Sequence, residues 1–208
     1  MIAEILTCLV VGYCFGCFST GYVVGKKNNV NITQHGSGNS GATNALRTLG
    51  KKAGAITLAG DMLKTMLPIL ILRMFVFKDG EAGWHLVTLY TGLGAVIGHN
   101  FPFWMGFHGG KGIASTGAVI IMLNPTWLTL ILAVLFFGLV AITRYVSVGS
   151  LVVSSAFPVF VYFMYSDNVN RIHMVIVCCI FTILAFYKHR GNIVRLVKGT
   201  ENKIGSKK

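Results

Sequence analysis

The sequence is short of charge. Only 12% of its 208 residues are Asp, Glu, Lys or Arg, whereas 54% are hydrophobic and the mean hydropathy is +0.69. A soluble domain carries about 25% charged residues, so this balance excludes an ordinary soluble fold and is typical of an integral membrane protein. The length suits one helical bundle, and we expect residues 1–208 to form a single domain.

Acidic residues are the scarcest of the charged types. Six acids stand against 18 Lys and Arg, which gives a net charge of +12. The basic residues flank hydrophobic segments and form no stripe that would line a nucleic-acid groove, so we expect no nucleic-acid partner. Positive charge beside apolar segments is instead typical of cytoplasmic loops, and of attraction to anionic lipids or substrates.

The sequence also lacks the cysteine pattern of a metal or disulfide framework. Cys14 and Cys17 have CxxC spacing, but no second pair of ligands accompanies them in a polar setting. No metal site is therefore expected. The first apolar run has neither a basic segment before it nor a small-residue cleavage motif after it, so we interpret it as a retained span rather than a signal peptide.

Long apolar stretches dominate the chain. A bilayer core about 30 Å thick is crossed by roughly 17–25 helical residues. Seven stretches come near that length: 2–24, 53–77, 84–97, 113–123, 126–143, 148–165 and 172–187. Asn124-Pro125 predicts a tight turn between the fourth and the fifth. The sequence thus predicts an all-α integral membrane protein with seven transmembrane helices.

Some of these spans carry small residues at helical spacing. Gly12 and Gly16 lie four residues apart in the first span, and Gly94 and Gly98 do so in the third. Small residues at this spacing let helix backbones approach closely in a membrane. We expect these glycines to serve packing rather than chemistry.

Lys and Arg are distributed unevenly between the two sides of this predicted bundle. They are concentrated in the loops after the first, third and fifth spans and in the tail, whereas the opposite side has Lys78 and Arg171. The positive-inside rule then places the C-terminus in the cytoplasm and the N-terminus outside. The polar, glycine-containing segments of the loops all fall on the cytoplasmic side, and we expect them to meet in one pocket at the inner leaflet.

The first of these segments, which we call the first cassette, spans residues 36–47. Its glycines permit positive φ and close approach of the backbone to an anion. Its candidate phosphate ligands are Ser37, Gly38, Asn39, Thr43, Asn44 and Arg47. Arg47 supplies a bidentate fork suited to phosphate, and a helix starting near Thr43 would turn its positive end to the same spot. The alternative is a flexible connecting loop.

The second cassette spans residues 99–112. Lys111 supplies a point charge, and Gly109 and Gly110 are expected to offer backbone N–H groups to a phosphate, although the spacing of a Walker A motif is absent. For His99 two interpretations stay open: it is a substrate ligand, or it is part of an aromatic interfacial belt.

Two further polar sets lie later in the chain. Ser147 and Ser150 follow Arg144 at the entrance of a span, where hydroxyls bind substrate or cap a helix; both interpretations stay open. The third cassette begins with His189 and Asn192, which share a face if the last span continues through them. Histidine is the side chain best able to move a proton near neutral pH. The alternative for this segment is a basic tail on anionic lipid.

Inside the second span, Asp61 and Lys64 are three residues apart. Charges within a membrane are usually paired or functional. We expect an ion pair, with a structural role as well supported as a direct one.

These motifs together resemble a known family. The segments GSGNSGATNALRTLGKKAG, HNFPFWMGFHGGKGIAS, TRYVSVGS and HRGNIVRLVKGTENKIG are similar to those of the bacterial acyl-phosphate:glycerol-3-phosphate acyltransferases of the inner membrane. The resemblance covers nearly the whole chain. It implies that a fatty acyl phosphate donates its acyl group to the 1-hydroxyl of glycerol 3-phosphate, giving lysophosphatidic acid and phosphate.

The resemblance also implies the site and the partners. The residues it marks as catalytic are Arg47, Lys111, His189 and Asn192, and those it marks as phosphate ligands include Ser37, Ser147 and Ser150. It implies no coenzyme A thioester, and none of the six histidines is followed five residues later by Asp or Glu. We expect no metal and no other cofactor. A functional link to an enzyme that makes acyl phosphate is implied as well.

Two other classes of function compete with this one. A membrane transporter of a phosphorylated metabolite would need polar residues deep in several spans, whereas only Asp61 and Lys64 lie deep. A structural lipid-binding protein would not need three polar cassettes.

Overall fold

The computed structural model describes residues 1–77, 83–123 and 126–205. Every regular element in this part of the chain is helical, which confirms the all-α prediction. The α-helices are α1 (Ile2–Gly16), α2 (Thr20–Lys27), α3 (Ala42–Leu49), α4 (Lys51–Ile71), α5 (Gly83–Asn100), α6 (Ile113–Met122), α7 (Thr126–Thr143), α8 (Val146–Met164) and α9 (Arg171–Val197). Short 3₁₀ turns cover Ile32–Gln34 and Phe103–Met105, and a π-helical turn, Leu72–Val76, extends α4. The predicted turn at Asn124-Pro125 and the side chain of Lys78 lie outside the described residues.

Several of these helices are long and apolar enough to cross a bilayer, so the chain is a multi-pass membrane protein. Among the described residues there are five such segments: Ile2–Lys27, Lys51–Val76, Thr126–Thr143, Val146–Met164 and Arg171–Val197. The fourth predicted span corresponds to α6, which has only 10 residues. The third corresponds to α5, which has 18 residues but is not among the five. The count of seven and the orientation of the termini stay predictions.

The first predicted span is two helices rather than one. The chain breaks between α1 and α2, where Ser19 caps α2 by accepting a hydrogen bond from the Tyr22 N–H. The break leaves carbonyls outside the helical ladder, and an unsatisfied carbonyl in hydrocarbon costs several kcal/mol. Cys17 O accepts from Trp104 Nε1 at 2.8 Å, and Phe18 O accepts from Lys64 Nζ at 2.5 Å. Side chains distant in sequence therefore donate the hydrogen bonds that the carbonyls at the break need.

The chain divides into two compact units, Met1–Leu123 and Asn124–Lys208, and each is described by itself. The expectation of a single domain stays a prediction. In the first unit, α1 and α5 pack backbone against backbone. A Cβ added at Gly12 or Gly16 would collide with the backbone of α5, and one at Gly94 or Gly98 would collide with that of α1. The predicted packing role of these glycines is confirmed.

In the second unit, α8 packs against both α7 and α9. Phe157 of α8 meets Phe181 of α9 edge-on, with ring centroids 6.0 Å apart. Thr182 Oγ1 donates to Ser154 O at 2.6 Å across the same pair of helices. A Cβ at Gly149 would press on Phe136 and Val140 of α7. These contacts hold the entrance of α8 and the length of α9 in place.

Gly94→Ala should lower the thermal stability of the purified protein, because the new methyl group would collide with Leu9 O. Overpacking of this kind costs about 1–3 kcal/mol, and thermal unfolding in detergent micelles measures it. Gly138→Ala is the matched control, since a Cβ there meets nothing within 4 Å. Equal unfolding temperatures for the two variants would contradict the close packing of α1 and α5.

Candidate active site

The first cassette is a loop folded around one buried amide. Asn44 Oδ1 accepts from the Ser37 N–H at 2.8 Å, and Asn44 Nδ2 donates to Ile32 O and His35 O, each at 3.0 Å. Asn44 is only 2% exposed. Its side chain is thus engaged inside the loop, and the interpretation of Asn44 as a substrate donor was wrong. Its role is to fix the path of the residues before α3.

The start of α3 agrees with the expectation from sequence. The helix begins at Ala42, one residue before Thr43, and Asn39 Oδ1 accepts from the Gly41 N–H at 2.9 Å just ahead of it. Arg47 lies one turn after Thr43, so the two side chains share a face. Arg47 is exposed, as is Ser37. Arg47 itself lies in the last turn of α3, at the opposite end of this eight-residue helix from the positive end of its dipole.

The glycines of the second cassette allow close contact with the end of α5. Gly109 N donates to Asn100 O at 3.1 Å, and Gly110 N donates to His99 O at 3.0 Å. A Cβ at Gly109 would collide with His99 O, and one at Gly110 with the His99 ring. Both predicted nest amides thus have carbonyl partners within the protein, which gives a packing reason for glycine at each position. Phosphate binding by these two residues stays a prediction.

Lys111 is placed immediately before a helix. Gly112, with φ of 80°, caps the N-terminus of α6, which begins at Ile113. Lys111 itself is half-buried. The positive end of the α6 dipole and the ammonium group are therefore close in sequence, and both favour an anion.

The first and second cassettes both adjoin α2. A Cβ at Gly21 would collide with Ser40 O of the first cassette. The next residue, Tyr22, packs edge-on against Trp104 of the second cassette with ring centroids 5.1 Å apart. Both cassettes thus contact one short helix of the first unit.

His99, the first residue of the second cassette, forms a buried cluster with Asp61 and Lys64 of α4. Lys64 Nζ is 3.1 Å from Asp61 Oδ1 and 2.8 Å from His99 Nδ1. The predicted ion pair of Asp61 and Lys64 is present in the structure. The sequence did not connect His99 to it, because a residue 35 positions further on meets Lys64 only through the fold.

In the second unit, the centre of the polar site is a residue that sequence reasoning missed. Glu201 is 8% exposed, and its Oε1 accepts from Ser147 Oγ at 3.1 Å and from Asn192 Nδ2 at 2.6 Å. Its Oε2 accepts from Arg195 Nε at 2.8 Å. A signal was present, since Glu201 is the only acid after Asp167 in an otherwise basic stretch. One carboxylate thus joins the two polar sets of this unit.

His189 and Asn192 lie within α9, because that helix runs on to Val197 instead of ending at the predicted residue 187. His189 is 2% exposed, and its Nδ1 donates to Ala185 O at 2.8 Å. With the proton on Nδ1, the neutral ring has its lone pair on Nε2. His189 is therefore suited to accept a hydrogen bond from a hydroxyl.

Ser147 and Ser150 do not cap α8, whose N-cap is Tyr145. Ser150 Oγ donates to Val146 O within the helix at 2.9 Å. The tail closes over this entrance, where Ile204 N donates to Arg144 O at 2.8 Å and Arg144 Nη2 donates to Ile204 O at 2.9 Å. Residues 144–150 and 189–204 thus form one polar region in the second unit.

No group of three or more His, Cys, Asp or Glu suited to hold a metal ion occurs in residues 1–77, 83–123 and 126–205. The buried acids have cationic or amide partners instead. Asp61 is paired with Lys64, and Glu201 with Arg195 and Asn192.

The family model described as glycerol-3-phosphate acyltransferase matches residues 6–199. The chain belongs to the glycerol-3-phosphate acyltransferase family. The resemblance found in the sequence is thereby confirmed, and the family is one of enzymes.

Relatives with this family name align over nearly their whole length. A glycerol-3-phosphate acyltransferase of Clostridioides difficile (strain 630) is 43% identical over 204 residues, which cover 96% of this chain and 95% of the relative. One of Bacillus subtilis (strain 168) is 37% identical over 198 residues, covering 94% and 95%.

Solved structures of the family share the fold. The crystal structure of PlsY (YgiH), an integral membrane glycerol 3-phosphate acyltransferase, in its glycerol 3-phosphate form matches with a TM-score of 0.84 and 33% identity, covering 97% of this chain and 96% of that one. Its lysphosphatidic acid form matches with a TM-score of 0.82 and 32% identity, covering 97% and 95%.

Glu201→Ala should destabilise the second unit and reduce activity, because Asn192, Ser147 and Arg195 would each lose the acceptor to which they donate. Removing one partner of a buried charged hydrogen bond costs about 1.5–3 kcal/mol. Thermal unfolding and an activity assay on the same preparation measure both effects. Lys203→Ala, at an exposed position two residues away, is the control, and an equally small effect of both variants would contradict the central role of Glu201.

Proposed function

We propose that this protein transfers a fatty acyl group from an acyl phosphate to the 1-hydroxyl of glycerol 3-phosphate, giving lysophosphatidic acid and inorganic phosphate. The observation that carries the proposal is the match to an integral membrane glycerol 3-phosphate acyltransferase solved in its glycerol 3-phosphate form, over 97% of this chain. The lysphosphatidic acid form of the same relative supports the product. Basic, glycine-containing loops on a multi-pass membrane protein suit substrates that carry phosphate.

The reaction needs little help beyond positioning and charge. The glycerol hydroxyl oxygen attacks the acyl carbonyl carbon, the bond from that carbon to the phosphate oxygen breaks, and the hydroxyl proton passes to an oxygen of a substrate phosphate. An acyl phosphate already contains a good leaving group. Holding two anionic substrates in order and neutralising their charge is therefore the main source of rate.

We assign the roles unit by unit. For phosphate binding we propose Ser37, Gly38, Asn39, Thr43, Arg47, Gly109, Gly110 and Lys111 of the first unit, and Ser147 and Ser150 of the second. Arg47 and Lys111 neutralise charge that develops on the leaving phosphate. His189 accepts a hydrogen bond from the acceptor hydroxyl, and its Nδ1–H bond to Ala185 O supports this role by holding the ring in the required tautomer. Asn192 acts with it, and its amide is oriented by Glu201.

We further propose that the protein has seven spans in the bacterial inner membrane, with the N-terminus outside and the catalytic loops in the cytoplasm. The distribution of Lys and Arg supports this orientation. A helix of 18 residues such as α5 rises about 27 Å, close to the thickness of the hydrocarbon core. Much of α5 is buried against other helices of the first unit, so it needs less hydropathy than a lipid-facing span. An enzyme that makes acyl phosphate supplies the donor, and no cofactor takes part.

The direct test is an assay of purified protein with acyl phosphate and glycerol 3-phosphate, with acyl-CoA as the alternative donor. We expect lysophosphatidic acid and phosphate to form in equal amounts from acyl phosphate and no product from acyl-CoA. Product from acyl-CoA alone, or no product from either donor, would overturn the proposal. Liposomes that carry the protein should not transport glycerol 3-phosphate unchanged.

Arg47→Ala and Lys111→Ala should each leave expression and folding intact and reduce kcat/KM by about 100-fold or more, the scale seen when a preorganised charge donor is removed. The assay above measures the loss, and thermal unfolding checks the fold. Lys51→Ala is the matched control, because Lys51 is an exposed cation at the start of α4 with no proposed role. Near-normal turnover in both variants would refute the assignment.

Chelation should leave the activity unchanged, because the proposed mechanism uses side-chain cations and helix N-termini in place of a divalent metal. The measurement is the initial rate after treatment with EDTA and desalting. A loss that one added metal restores would contradict this part of the proposal.

A further inference from the structure

The proposed chemistry leaves the cluster of Asp61, Lys64 and His99 without a role. All three residues are buried, with exposures of 1%, 7% and 6%. A buried ion pair is a weak source of stability, since desolvation offsets much of the attraction. Charges within membrane helices are accordingly rare and mark functional positions. The geometry around Lys64 indicates what this cluster does.

Three acceptors surround the Lys64 ammonium group. Lys64 Nζ is 3.1 Å from Asp61 Oδ1, 2.5 Å from Phe18 O and 2.8 Å from His99 Nδ1. An ammonium has three hydrogens and no lone pair, so it donates to Phe18 O and to His99 Nδ1. Its contact with Asp61 Oδ1 is an ion pair. His99 Nδ1 must then be an acceptor. The ring of His99 is therefore neutral and carries its proton on Nε2.

The protonated end of the His99 ring lies against Gly110, near the other end of the second cassette. A Cβ added at Gly110 would collide with Nε2, and the neighbouring ring carbons Cε1 and Cδ2 are the next atoms it would meet. The Gly110 N–H also donates to His99 O at 3.0 Å. His99 thus contacts the loop with both its ring and its backbone, at the residue directly before Lys111.

We propose that Asp61, Lys64 and His99 form a positioning device for Lys111: Lys64 fixes the tautomer of His99, and the Nε2–H end of the ring supports the loop at Gly110. The loop then holds Lys111 where it meets substrate phosphate. His99 and Lys64 are positioning residues and do not touch the reacting atoms. This inference deepens the proposed function and rests on it for the role of Lys111.

A matched pair of substitutions at His99 tests the proposal. In His99→Gln the terminal NH₂ reaches the place of Nε2 and still supports Gly110. In His99→Asn the side chain ends near the place of Nδ1, so it still meets Lys64 but leaves Gly110 unsupported. If the role of His99 were only to bind Lys64, His99→Asn would have the KM closer to wild type. If His99 positions the loop, His99→Gln will have it.

The readout is the split between KM and kcat in the acyl phosphate assay. We expect His99→Asn to raise the KM for at least one phosphorylated substrate by about tenfold, because the loop at Gly110 loses the ring against which it packs, with a smaller change in kcat. His99→Gln should restore KM to near the wild-type value. Equal KM values for Asn and Gln, or a better KM for Asn, would overturn the proposal.

A second measurement does not depend on activity. In wild-type protein with ¹⁵N-labelled histidine, the ring nitrogens of His99 should report an unprotonated Nδ1 and a protonated Nε2, with the signal assigned by its loss in His99→Gln. In Asp61→Asn/Lys64→Met, which removes both charges together, this tautomer should no longer be fixed. A proton on Nδ1 in the wild type, or no change in the double variant, would overturn the proposal even where the His99 variants fold poorly.

Arg73→Met is the control for loss of a cation near the same helix, because Arg73 Nη1 donates to Met122 O in the turn that extends α4, outside the cluster and the loop. Its KM and the His99 tautomer should match the wild type. Failure of the wild-type enzyme to transfer acyl groups would refute the proposed function but leave the tautomer result standing, so the two failures are distinguishable.

Discussion

The contacts of the Lys64 ammonium group connect three separate segments of the first unit. It neutralises Asp61 of its own helix, donates a hydrogen bond to Phe18 O in the break between α1 and α2, and donates another to His99 at the end of α5. Three segments of chain are thereby tied to one atom. In a low-dielectric surrounding, an ammonium with one counter-ion and two hydrogen-bond acceptors is stable. Without it, Asp61 would be a buried unpaired charge and Phe18 O a buried carbonyl lacking this donor. The helix break and the second cassette are thus parts of one electrostatic arrangement.

The second constraint is the short distance between backbone segments, which glycine makes possible. Along α1 and α5 it lets two backbones touch, and at Gly109 and Gly110 it lets a loop lie directly on the end of α5. In lipid, where apolar surface gives little driving force for helix association, such close contact is the main source of packing energy. A glycine-rich loop beside a lysine was therefore interpreted from sequence as an anion nest, although the same lack of a side chain also serves packing. Local sequence does not separate these two uses.

The features that could be predicted from sequence are those set by residues close together in the chain. The apolar runs of α4, α7 and α8 and the helix start near Thr43 are local properties, and they were predicted. The break after α1 was not, because Trp104 and Lys64, which satisfy its carbonyls, lie 87 and 46 residues from them. Glu201 was missed only in part for this reason: Ser147 is 54 residues away, but Asn192 and Arg195 are 9 and 6 residues away. Residue types indicated phosphate chemistry, but only the fold assigns each polar side chain its partner.

The unbroken course of α9 has a consequence for the setting in which the chemistry takes place. From Arg171, which rests on the ring of Tyr162, to His189 the helix rises about 27 Å, nearly the thickness of a bilayer's hydrocarbon layer. In the orientation proposed above, with Arg171 at the outer face of the hydrocarbon layer, His189 would lie near its inner face, where acyl chains meet headgroups. In a thicker bilayer, hydrophobic mismatch would place the imidazole deeper in the hydrocarbon layer unless the tilt of α9 from the bilayer normal decreased. Lipid composition, through bilayer thickness, thus becomes a physical variable that sets how far this histidine lies from the hydrated headgroup region.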